Sequence, residues 1–89
     1  MTNRILTIIN EKGLHARASA KLVEVVEAFD ATAEVLKDGM NASGDSIMGL
    51  LMLAASKGST IELLTDGPEA LKLADAVEAL VADRFGEDV

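Results

Sequence analysis

The spacing of apolar residues along this chain switches between a period of two and a period near 3.6, and those switches leave few folds open. Ile5 to Ile9 alternate around Thr7 and are rich in β-branched side chains, which predicts a strand that Asn10, Glu11, Lys12 and Gly13 then break. From Ala16 the period lengthens. Leu22, Val25 or Val26, and Phe29 share one face while Lys21, Glu24 and Glu27 take the other, the pattern of an amphipathic helix. Glu34 to Lys37 and Met40 to Ala42 flank Asp38-Gly39, a pair suited to a tight hairpin turn. Gly44-Asp45-Ser46 supplies N-cap chemistry for a short helix over Ile47 to Ala55, weakened by Gly49 and stopped by Lys57-Gly58. Thr60 to Thr65 returns to strand character. Pro68 then suits a first helical position, Leu73, Ala74, Val77, Leu80, Val81 and Phe85 form the apolar face, and Gly86 ends the helix.

The order βαββαβα in 89 residues, with no repeat and no linker, predicts a single α+β domain spanning residues 1–89. The expected architecture is an open-faced sandwich: a four-stranded antiparallel sheet with three helices on one face and solvent on the other. A ferredoxin-like arrangement shares most of this order and stays open at the level of sequence.

Composition removes several functions. A formal charge of -7 repels a phosphate backbone, and an aromatic content of 2% leaves little surface for stacking bases, so nucleic-acid binding is not expected. With no cysteine and one histidine, no metal site and no cofactor are expected. The N-terminus lacks the features of a signal peptide, and the most apolar run, Ile47 to Ala55, is far below the roughly 20 residues that span a bilayer. No membrane insertion and a cytoplasmic location are therefore the expectation.

His15 lies where the first loop hands over to the first helix. A helix start offers unpaired N–H groups and a partial positive charge, so the donors of Ala16, Arg17 and Ala18 are placed to hold an anion on the ring. Arg17 adds a guanidinium fork that suits phosphate oxygens. The same field favours an uncharged, nucleophilic imidazole. Read from the residues alone, His15 is as well explained as an ordinary residue of a helix start and Arg17 as a solvated charge.

The run Gly13-Leu14-His15-Ala16-Arg17 resembles, residue for residue, the active-site motif of the HPr phosphocarrier family of the phosphoenolpyruvate-dependent phosphotransferase system. Gly44-Asp45-Ser46-Ile47-Met48-Gly49-Leu50 and Asp66-Gly67-Pro68-Glu69-Ala70 are similar to further segments of that family, so the resemblance covers essentially the whole chain. It implies an HPr-like open-faced sandwich. It also implies that His15 takes a phosphoryl group on Nδ1 from enzyme I and passes it to an EIIA-type acceptor, making the chain a covalent carrier rather than a turnover enzyme. Family members commonly carry proline after the arginine; Ala18 stands there instead, which points away from the best-known sugar-transport members and toward a regulatory branch such as the nitrogen-regulatory, NPr-like one, with sugar transport and regulation both left open by the shared chemistry.

Ser46 reads as an N-cap, and the resemblance adds regulatory phosphorylation by an HPr kinase/phosphorylase. Ile47 to Leu53 is apolar around nearly its whole circumference. Leu50 and Leu53 are assigned to the core, which leaves Ile47, Met48 and Leu51 as an exposed partner-binding patch beside Lys21 and Glu24. Lys21 and Glu24, one turn apart, also suit a weak surface ion pair. Glu69, Asp75, Glu78 and the tail Glu87-Asp88-Val89 read as solubilising charge. A carrier that presents one face to successive partners is most simply a monomer. The competing function is a non-catalytic interaction or sensor domain in which His15 is structural and the apolar helix is a dimer interface.

Overall fold

The computed structural model describes residues 1–89. The chain runs β1 (Thr2–Thr7), α1 (Ala16–Glu27), β2 (Thr32–Lys37), β3 (Met40–Ser43), α2 (Ile47–Met52), β4 (Thr60–Asp66) and α3 (Ala70–Ala82), and closes with a 3-10 turn over Arg84–Gly86. The strands form one antiparallel sheet in the order β1-β4-β2-β3. A ferredoxin-like sheet would hold its first strand in the middle. Here β1 is an edge strand paired only with β4, so the open-faced sandwich is the fold and the ferredoxin-like alternative is not.

Register places alternate residues on the core face. Leu6 lies opposite Ile61, and Val35 lies opposite both Leu63 and Ala42, all five of them buried. Onto this face α1 lays Ala18, Leu22, Val23 and Val26, and α3 lays Leu73, Ala74, Val77 and Val81. Of the pair Val25 and Val26, it is Val26 that is buried. The other face keeps polar residues such as Asn3 and Glu62, whose side chains hydrogen-bond at 2.7 Å, around an exposed Ile5. Half-sided burial of this kind is what an antiparallel sheet permits. No helix is long and apolar enough to cross a membrane.

Several boundaries depart from the pattern in the sequence. Beyond Thr7 the chain leaves the ladder, because Ile8 bonds to the turn at Gly58 and Ser59 instead of to β4. The second helix stops at Met52 rather than Ala55: Leu53 is its C-cap and Ala54 is left-handed at φ 52, so the αL position that usually attracts glycine holds alanine and gave no signal. Pro68 is in the turn before α3, and Glu69 takes the N-cap position. Asp38 and Gly39, with φ 51 and 80, make the expected hairpin turn.

The acidic residues of α3 are structural as well as solubilising. Arg4 of β1 reaches Asp75 at 2.7 Å and Glu78 at 3.0 Å, clamping the edge strand to the helix, and Asp75 above all raises the already high pKa of the guanidinium. Glu69 accepts the Asp30 N–H at 2.8 Å while its own N–H donates to the Asp30 carbonyl at 3.0 Å. That reciprocal pair ties the start of α3 to the loop after α1.

The loop between β1 and α1 is docked on the α2–β4 connection. Leu14 N–H donates to the Ala55 carbonyl at 2.8 Å, and Gly13, at φ 64, passes so close that a Cβ would stand 2.4 Å from that oxygen. Gly13→Ala combines a left-handed alanine with a backbone clash, and it is expected to lower stability by about 2 kcal/mol or more. Urea unfolding of the two proteins checks this; equal midpoints would mean the loop relaxes freely.

Candidate functional site

His15 is the N-cap of α1, with extended backbone at φ -77 and ψ -176. Its Nδ1 accepts the Arg17 N–H at 3.3 Å, and its carbonyl accepts the Ser19 N–H at 2.8 Å. The ring nitrogen therefore occupies the place an N-cap oxygen usually takes. Ala16 and Arg17 are exposed in the first turn and Ala18 is buried. The sequence reading had all three N–H groups free to meet an anion. In the resting structure the Arg17 donor is already held by Nδ1 itself.

His15 keeps 27% of its side chain accessible and sits between two shallow depressions. One, of about 280 Å³, joins the ring to Leu14, Leu51 and Ala54. The other, of about 350 Å³, is lined by Lys12, Arg17 and Lys21 together with the tail from Gly86 to Val89. The chain is strongly acidic, yet three of its 8 Lys and Arg surround the only histidine. Among these, Lys12 and Arg17 form no ion pair within 4 Å, which leaves their charge available to an incoming anion.

The third cation is fixed. Lys21 Nζ donates to the Phe85 carbonyl at 2.6 Å, so the side-chain pair with Glu24 suggested by their spacing does not form, and Glu24 stands in solvent on α1. A helix-surface pair is worth only a few tenths of a kcal/mol, so a carbonyl held within reach readily displaces it.

The tail residue Glu87 is the side chain that the sequence reading missed. Its Oε2 contacts His15 Nε2 and its Oε1 accepts from Asn10 Nδ2 at 3.0 Å. The hydrogen bond from His15, then that from Asn10, holds the Glu87 carboxyl below the usual carboxylate range. Asn10, read from sequence only as a strand breaker, is fully buried and also donates to the Gly13 carbonyl at 2.8 Å. Glu87 Oε2 is placed to accept an N–H from His15 Nε2, while Nδ1 accepts from Arg17. Nothing in the residue pattern links positions 10, 15 and 87; tail and loop meet only because the turn after α3 folds back.

Ser46 caps α2, its Oγ accepting the Gly49 N–H at 3.0 Å, as the cap chemistry suggested. Of the apolar helix, Leu50 and Leu53 are buried, while Ile47 and Met48 are exposed at 39% and 70%. Leu51 is half-buried beside His15. Met52, 69% exposed, belongs to the surface too, because the helix ends there and turns its side chain outward. The patch thus adjoins the histidine through Leu51, and Ser46 sits at its far end.

Residues 2–83 match the family model described as PTS HPr component phosphorylation site. The chain is 49% identical over 87 residues to the phosphocarrier protein HPr of Cupriavidus necator, covering 98% of each chain. It is 44% identical over 84 residues to the phosphocarrier protein NPr of Shewanella violacea, covering 94% of this chain and 92% of that one. Its fold superposes on the crystal structure of HPr-C-His from Thermoanaerobacter tengcongensis with a TM-score of 0.95 at 31% identity, over all of both chains.

A carboxylate whose folded-state pKa is lowered stabilises the fold above its ordinary value and loses that contribution as pH falls through the folded-state value. The stability gap between this chain and Glu87→Gln is therefore expected to be open above the ordinary value of 4.5 and to close below it. Denaturant unfolding across that range reads it; a gap that stays constant into strong acid would mean that the Glu87 contacts carry no charge.

Proposed function

The chain belongs to the HPr family of the phosphotransferase system, whose members are its phosphoryl carriers, and on that premise we propose that His15 is the carrier residue: enzyme I is the donor and an EIIA-type protein the acceptor. The observation that carries this reading is the placement of the ring at the start of α1. Nδ1 is turned to the Arg17 N–H, and Lys12 and Arg17 stand beside it with unpaired charge. A phosphoryl group on Nδ1 takes over the Arg17 N–H and finds both cations within its field, as an anion at a helix start does. Transfer in both directions needs a nucleophile open to a partner and a charge cradle that is already assembled.

Successive partners must reach the same ring. Ile47, Met48 and Leu51 form an apolar surface continuous with His15, and flexible methionine side chains suit a surface that accepts more than one shape. Lys21 and Glu24 lie on the α1 flank of that surface. The carrier works as a monomer in the cytoplasm, where phosphoenolpyruvate is made.

Ser46 is proposed as a regulatory phosphorylation site for an HPr kinase/phosphorylase. Its hydroxyl already accepts an N–H of α2, and a phosphoryl oxygen there accepts the same donor, so the helix survives modification. The effect falls on the partner, whose face meets a new dianion beside Ile47 and Met48. Ala18 favours a nitrogen-regulatory role as the second reading, since it replaces the proline common in the family with a residue that keeps a backbone donor at the helix start.

Intact mass measured after incubation with phosphoenolpyruvate, magnesium and enzyme I is expected to show one alkali-stable phosphoryl group, absent from His15→Ala. An unmodified wild-type chain with a matched enzyme I would leave the interaction-domain reading in its place. Ser46→Asp is expected to weaken binding of enzyme I by roughly tenfold, the scale of one misplaced charge at a docking face; equal titration curves by calorimetry would remove the regulatory role.

A further inference from the structure

We propose that Glu87 is a positioning residue for His15: it holds the proton on Nε2, presents the Nδ1 lone pair to the phosphoryl group, and balances the positive charge the ring gains on transfer. The inference rests on the carrier reading above and deepens it by giving the tail a part in the reaction. Three independent features of the chain converge on this contact.

The first is a relay of buried donors. Asn10 is fully buried, and its Nδ2 is shared between the Gly13 carbonyl at 2.8 Å and Glu87 Oε1 at 3.0 Å, while its Oδ1 has no partner. A buried amide that leaves its own acceptor unsatisfied is oriented for its donors. Those donors hold the two residues on either side of the histidine site, the loop before it and the carboxylate over it.

The second is the backbone that delivers Glu87. Arg84, Phe85 and Gly86 are all left-handed, at φ 54, 54 and 76, a disfavoured run for two residues that carry a Cβ. The run is held by the completely buried Phe85 ring, by Lys21 on the Phe85 carbonyl, and by the Glu87 N–H on the Arg84 carbonyl at 2.9 Å. Without that reversal the chain would leave α3 pointing away from His15.

The third is agreement between the two ring nitrogens. Nδ1 accepts from the Arg17 N–H and Nε2 faces Glu87 Oε2, so both contacts select the neutral tautomer with its proton on Nε2. The opposite tautomer would set a nitrogen lone pair against a carboxylate and an N–H against an N–H. In transfer, the Nδ1 lone pair forms the N–P bond as the bond between phosphorus and the donor breaks, and that electron pair leaves with the donor. The ring keeps its Nε2 proton and becomes a cation, facing the Glu87 carboxylate. The other charged groups around it are Lys12 of the loop, Arg17 and Lys21 of α1, and Asp88 of the tail. A carboxylate that orients a catalytic imidazole through the nitrogen that does not react is a general device of nucleophilic sites.

Glu87 lies outside the hydrophobic core, so Glu87→Gln and Glu87→Ala keep the fold and separate its two roles. Glutamine keeps an acceptor for Nε2–H without the charge; alanine removes both. Ring 15N spectra of the unphosphorylated protein are expected to show the Nε2–H form alone in wild type and Glu87→Gln, with the Nδ1–H form added in Glu87→Ala. Single-turnover phosphoryl acceptance from enzyme I slows by about tenfold in Glu87→Gln and further in Glu87→Ala. Identical ring spectra in all three proteins, or acceptance rates within about twofold of one another, overturn the proposal. The ring spectra need no phosphoryl donor, so a wild type that accepts no phosphate defeats the carrier reading and leaves the Glu87 contact still measurable.

Discussion

The close approach of Gly13 to the Ala55 carbonyl decides where α1 begins, and the site is built outward from that contact. With Gly13 left-handed and the Leu14 N–H bound to Ala55, His15 falls at the N-cap and its ring turns back over the first helical turn. The same contact draws the α2–β4 connection beside the histidine, which brings Leu51 and the apolar helix into continuity with the ring. One backbone hydrogen bond thus joins the chemical group to the surface through which partners reach it. A side chain at position 13 would disturb both at once.

Charge is distributed with the same economy. Most acidic residues face solvent or clamp elements together, as Asp75 and Glu78 do on Arg4, and the chain as a whole repels anions at long range. Locally Lys12 and Arg17 bring positive charge to His15 alongside the carboxylates of Glu87 and Asp88, and neither cation is held in an ion pair within 4 Å. Lys21 differs from them in being spent on the Phe85 carbonyl, where it stabilises the end of the chain instead of the anion site. The two uses of positive charge meet in one depression because the tail folds back over α1.

Element types were readable wherever one period ran long enough. The apolar stripes of α1 and α3 and the hairpin around Asp38-Gly39 are those the pattern suggests, and Ser46 is the cap its neighbours suggested. But α1 ends at Glu27, short of Phe29, and α3 ends at Ala82 rather than at Gly86, so that Phe85, expected on its apolar face, is buried from the left-handed turn that follows. The end of α2 was not readable, because Ala54 adopts the left-handed backbone with no glycine to mark it. Pro68 misled for a related reason: its fixed φ suits a turn as well as a first helical residue, and Glu69, bonded to Asp30, decided between them. The position of His15 was legible from Gly13 and the helical period that follows.

By itself the sequence determined the alternation of strand and helix, the side of each element that is apolar, and a lone histidine at a helix start with a guanidinium two residues on. These follow from local periodicity and cap chemistry, which act over a few residues. Strand order, the dismissal of a ferredoxin-like sheet, and the meeting of Asn10, His15 and Glu87 were decided by the tertiary structure alone. They depend on packing between residues as far apart as 10 and 87, where the free energy comes from burying Phe85 and pairing strands, and local pattern carries no record of either.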